Sequence, residues 1–157
     1  MIRIWFDKGS SHSSYIFIIG VFNDLEKANE CYRLLKELDN VIWNYDRFES
    51  FLKKLPDNVK ECICKEYNVD FKDMYLVIET LREDYPFEEC ASGMSKYANV
   101  IVVWGYSHME DETLFGTFMK CFGARVRTVH EDDLAKYIHE LITKNIYEVE
   151  EVENEEI

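Results

Sequence analysis

The residues with the densest polar chemistry lie near the start of the chain, where Asp7, Gly9, Ser10, Ser11, His12, Ser13 and Ser14 follow Trp5. An imidazole among hydroxyls can act as a general base toward a bound substrate or hold an anion. The same residues also suit a plain turn, in which Gly9 takes an unusual backbone angle and the serines satisfy exposed amides. A second group echoes the first. Trp104 closes an apolar run and is followed by Ser107 and His108, as Trp5 is followed by Ser11 and His12. If the strands that end at Trp5 and Trp104 are neighbours and point the same way, both histidines lie at one edge of the sheet. His12 and His108 are therefore the candidate catalytic pair, and Trp5, Asp7, Gly9, Ser10, Ser11, Ser13, Trp104 and Ser107 are the candidate ligand-binding residues. Ser107 has a second reading as the cap of a following helix, with Glu110 three residues on.

Enzymes with two His-x-Ser/Thr motifs on facing strands use one histidine as base and one as acid on phosphodiesters. His12-Ser13-Ser14 fits that motif, whereas His108-Met109-Glu110 places a carboxylate where a hydroxyl belongs, unfavourable beside a phosphate. A metal held by His12, His108, Asp7 and Glu110 is chemically conceivable, but their spacing does not require one, so no metal or cofactor is assigned. Phosphate-binding loops, dinucleotide glycine motifs, nucleophile elbows and His-Glu-x-x-His are absent from the sequence.

The elements that must position these residues are legible from their periodicity. Residues 2–6 and 15–22 read as strands on either side of the serine loop. Asn23, Asp24 and Glu26 form a capping arrangement, and Leu25, Ala28, Tyr32, Leu35 and Leu38 then repeat at helical spacing, closed by Asp39 and Asn40. Val41, Ile42 and Trp43 suit a short strand. Residues 45–97 read as helical, including 71–81, where a strand is the competing assignment. Residues 99–104 are a buried strand and 114–122 a helix ended by Gly123. Residues 124–129 alternate as a strand, and a final helix runs along Leu134, Ile138 and Leu141.

Two strand-helix-strand units, residues 15–43 and 99–129, dock into one four-stranded sheet with both helices on one face. The predicted class is α+β, a ferredoxin-like β-α-β / β-α-β sandwich with an extra N-terminal strand and a helical insertion at about 45–97. The alternative is a three-layer α/β doubly wound sheet. Residues 1–144 make one domain and 145–157 an acidic, disordered tail carrying Glu148, Glu150, Glu151, Glu153, Glu155 and Glu156.

The net charge of −13 repels phosphate backbones, so nucleic-acid backbone binding is not expected. No apolar run is long enough to span a membrane, and no secretory signal is evident, which points to the cytoplasm. Five cysteines, an odd number, argue there against a disulfide framework, and Cys62-Ile63-Cys64 lacks zinc-knuckle spacing.

The opening Ile4-Trp5, the Gly9-Ser10-Ser11-His12-Ser13 loop and Ile18-Ile19-Gly20-Val21-Phe22 resemble a family of small uncharacterised prokaryotic proteins beginning Ile-Trp, Gly-Ser-x-His-Ser and Ile-Gly-x-Phe. The resemblance covers about the first 40 residues and returns faintly at Gly123-Ala124-Arg125-Val126. This chain departs from it at Ser11, where the family has Glu, and in its longer acidic tail. It supports the fold read above and assigns no activity. The function expected from the residues is a noncatalytic binding or regulatory module. It would recognise a small ligand or protein partner through residues 9–14 and the sheet edge, and assemble as a homo-oligomer. The alternatives are a small metal-independent hydrolase using His12 and His108, and a phage or host-defence accessory protein that captures a nucleotide signal.

Overall fold

The computed structural model describes residues 14–88, 90–107, 113–137, 139, 140 and 143. Four strands form one sheet: β1 (Ser14–Val21), β2 (Gly93–Tyr97), β3 (Val100–Ser107) and β4 (Arg125–His130). Their order is β2-β3-β1-β4 and every pairing is antiparallel. With α1 (Leu25–Val41) after β1 and α5 (Leu114–Cys121) between β3 and β4, this is the α+β, ferredoxin-like arrangement. The antiparallel pairing rules out the doubly wound alternative, which needs parallel strands. The predicted strand at residues 2–6 and the acidic tail lie outside the described residues.

The local reasons for these elements are mostly those the sequence suggests. Asp24 caps α1, its Oδ1 accepting from Glu26 N at 2.8 Å, and Ala28, Cys31, Leu35 and Leu38 form the buried stripe. Asn44 caps α2 (Tyr45–Lys53) through Arg47 N, and Asp73 caps α4 (Met74–Glu83) through Leu76 N. Between them, α3 (Asp57–Tyr67) ends on Asn68 at φ 53°, a left-handed position that asparagine tolerates. Gly123, at φ 89°, ends α5, with Ala124 N donating to Met119 O.

Four expectations need correction. Val41 and Ile42 are the last turn and cap of α1, not a strand. Asp39, which reads as a helix stop, is instead a tertiary anchor that accepts hydrogen bonds from the Tyr85 hydroxyl and from Ala91 N. With its carboxylate used there, it does not turn back on its own backbone, and the helix continues two residues past it. The second strand of the motif is β2, inside the stretch read as helical, so the insertion α2–α4 separates α1 from β2 rather than joining two halves. Ser107 does not cap α5. It is the last residue of β3, and Thr113 precedes the helix.

Both faces of the sheet are covered. Ile16, Ile18, Ile101 and Val103 point into the larger core with Phe48, Leu52, Phe115 and Phe118 from the helices. Tyr15, Phe17, Ile19, Val100, Val102 and Val129 form a second core with Leu134. Leu134 belongs to helical residues 131–137, so this helix does not share the face of α1 and α5. Alternation along β1 and β3 thus divides two apolar layers, which is why both strands read as continuous hydrophobic runs. Among the described residues, no helix is long and apolar enough to cross a membrane.

Cys62 on α3 and Cys121 on α5 form a disulfide, against the expectation of free thiols. Cys31 does behave as a small apolar core residue, and burial pushes its thiol pKa up.

Candidate functional site

β1 and β3 pair over their full length, and the register ends with Ser14 opposite Ser107. The strand residues that adjoin the two serine-histidine segments in the chain therefore lie opposite each other. His12 lies two residues before Ser14 and His108 one residue after Ser107. His12, His108, Trp5, Asp7, Gly9, Ser10, Ser11 and Ser13 lie outside the described residues. Trp104 and Ser107 lie within them.

Ser107 is buried at 4% exposure. One residue in from the end, Tyr15 and Tyr106 are register partners whose rings lie 4.1 Å apart, on the face shared with Phe17 and Val102. Such an aromatic pair adds stabilisation beyond the area it buries and stiffens the strand ends that carry the serines. Trp104 is opposite Phe17 on one side and Gly93 on the other. A Cβ on Gly93 would lie 2.3 Å from the Trp104 ring, so glycine there is what lets the half-buried indole lie across β2. Trp43 is not part of this group. It is 55% exposed, beside Tyr85 and under the Arg82 guanidinium.

The wall beside β3 is the segment after α4. Phe87 packs against Gly105, where a Cβ would come within 2.6 Å of its ring, and Glu88 N donates to Tyr106 O at 3.4 Å. That segment is tied to the helices on both sides. Tyr85 bonds to Asp39, and the neighbouring Asp84 accepts from the Tyr67 hydroxyl at 2.5 Å while its carbonyl receives Leu114 N. Burial raises the pKa of the Asp84 carboxyl, and the Tyr67 hydrogen bond opposes it. Burial together with Asp84 raises the Tyr67 phenol, which stays a donor. Beside them the Thr113 hydroxyl is fully buried, with no hydrogen-bond partner among the described residues.

The candidates read from the sequence include Trp104 and Ser107 but not their neighbours Tyr15 and Tyr106. The signal for Tyr106 was there: it falls two residues after Trp104, hence on the same face of an extended strand. Reading the strand as ending at Trp104 hid it. Among the described residues, no group of His, Cys, Asp and Glu is placed to hold a metal ion. No family model matches the chain, and neither a curated protein nor a solved structure matches it.

Proposed function

We propose that this protein is a noncatalytic binding module that recognises a small ligand at the end of the sheet where β1 begins and β3 stops. Residues 9–14 and the adjoining sheet edge supply the contacts. The pairing of Ser14 with Ser107 is the observation that supports this reading, because the serine-histidine segments adjoin those two residues in the chain and the Tyr15–Tyr106 ring pair lies one residue in from them. Hydroxyls and imidazoles together select a ligand rich in hydrogen-bonding groups. The resemblance of the first 40 residues to a prokaryotic family, a cytoplasmic site of action and association into a homo-oligomer belong to the same proposal.

Mass spectrometry of small molecules released by heating the purified protein tests it. The wild type should release a stoichiometric ligand, and His12→Ala and Ser107→Ala, with unchanged melting temperature, should release at most a tenth as much. Equal release from wild type and variants would defeat the reading.

The same register, with a histidine two residues before Ser14 and another one residue after Ser107 in the chain, also supports a second reading, a phosphodiester hydrolase with His12 as base and His108 as acid. Turnover of a nucleotide panel that disappears in His12→Ala and in His108→Ala would establish it in place of the first.

A further inference from the structure

The disulfide between Cys62 and Cys121 closes a loop that contains α4, residues 84–88, β2 and β3. Both cysteines are only partly buried, so a small thiol can reach the bond. Cys31, Cys64 and Cys90 stay as free thiols. In the cytoplasm proposed above, thiols are kept reduced, and a bridge that forms there usually serves sensing or transient chemistry rather than structure.

What the bond holds follows from its place between two helices. Tyr67, five residues after Cys62 on α3, donates to the Asp84 carboxylate. Leu114 N, seven residues before Cys121 on α5, donates to the Asp84 carbonyl. The helix pair is therefore clamped at two points, the bond and the Asp84 junction, about 7.5 Å apart along α3 and about 10 Å apart along α5. Residues 84–88 run from that junction to the sheet, where Phe87 packs against Gly105 and Glu88 N donates to Tyr106 O at 3.4 Å, a long hydrogen bond. Cutting the covalent tie leaves packing and hydrogen bonds to hold the pair. The Asp84 junction then opens more often, and the wall moves with it. The domain itself survives the cut, because Val59 and Ile63 of α3 stay buried in the larger core with Phe115 and Phe118 of α5.

We propose that the Cys62–Cys121 bridge is a redox-sensitive staple: as a disulfide it holds residues 84–88 against Tyr106, and its reduction by a dithiol loosens that wall in a domain that remains folded. One thiolate of the reductant attacks a bridge sulfur, forming a mixed disulfide and expelling the other cysteine, which takes up a proton. The second thiol of the reductant then closes its own disulfide and releases the remaining cysteine. Two electrons and two protons pass from the dithiol to the protein. Because Tyr106 adjoins Ser107 and pairs with Tyr15, the staple also controls the proposed ligand site, a consequence that rests on the binding-module reading.

The test compares the oxidised full chain with the same chain treated with dithiothreitol in native buffer, by alkylation with mass spectrometry and by amide hydrogen exchange at several low urea concentrations. Cys62 and Cys121 should become alkylated after reduction while melting stays cooperative. Residues 84–88 should exchange at least tenfold faster, through a local opening that urea does not promote. The Cys62→Ser/Cys121→Ser variant should show that fast exchange with and without reductant. A bridge that survives dithiothreitol in native buffer would overturn the proposal, as would loss of cooperative melting on reduction. So would an equal, urea-promoted acceleration at every amide, the mark of lower global stability alone, or a response of the double variant to reductant. Where the heated wild type releases a ligand, the reduced chain should retain at most a tenth as much, and unchanged retention beside a loosened wall would overturn control of that site. Exchange is read without any ligand, so failure of the binding reading is distinguishable from failure of the staple.

Discussion

Cys62 and Cys121, 59 residues apart, are bonded to each other and tie the inserted helix α3 to α5 of the sheet domain. Closing a loop of that length restricts the unfolded chain by about 4 kcal/mol in the chain-entropy account, of which about 2–4 kcal/mol is usually realised. Cys62→Ser should lower the unfolding free energy in urea by that amount. In denaturant without reductant, a thiol reagent should label Cys31, Cys64 and Cys90 only. Labelling of all five cysteines would refute the bridge.

Gly93→Ala should cost about 1–3 kcal/mol, the usual penalty of forcing atoms into a filled site, because the new methyl meets the body of the Trp104 indole rather than a flexible chain end. Replacing the ring should return much of that loss, so the double variant Gly93→Ala/Trp104→Leu should be more stable than the sum of the single changes. Strict additivity in a urea double-mutant cycle would show that the two positions do not touch.

Ala98 turns the β2–β3 hairpin at φ 52°, where a Cβ crowds the backbone. Glycine carries no such penalty, although it adds freedom to the unfolded chain. Ala98→Gly should therefore raise stability by about 0.5–1 kcal/mol, seen as a higher melting temperature. A fall would mean that unfolded-state entropy outweighs the strain.

Asp84 carries a carboxyl whose folded pKa is raised above its unfolded value by burial. The folded state thus favours the protonated form, and the contribution is fully present below the unfolded pKa near 3.8 and lost as pH rises through the higher folded pKa. Asp84→Asn keeps an acceptor for the Tyr67 hydroxyl and removes the charge. Its melting temperature relative to wild type should be higher at pH 7 than at pH 4. The opposite trend would show that the ionised carboxylate is stabilised where it sits.

How much of this was legible in the sequence follows from where each signal resides. β1, β3, α1 and α5 are encoded by local periodicity, and their capping or terminating residues Asp24 and Gly123 act within one turn, so no distant partner is needed to recognise them. β2 has no such signature. Gly93-Met94-Ser95-Lys96-Tyr97 is mostly polar, lies at the sheet edge and becomes a strand because β3 offers it a hydrogen-bonding partner. Val41 and Ile42 fail as a strand for the converse reason: they complete the buried stripe of α1, and among the described residues no strand pairs with them.

By itself, then, the sequence determined the α+β class, the two central strands and the serine-histidine segments as the place to look, because those depend on residue type and short spacing. Tertiary structure decided that α2–α4 enter before β2 and that Cys62 meets Cys121. It also set Ser14 opposite Ser107 and put β4 at the edge of the sheet formed by the described strands. Each of these joins residues far apart in the chain, and such encounters depend on how whole elements pack and pair rather than on any local pattern.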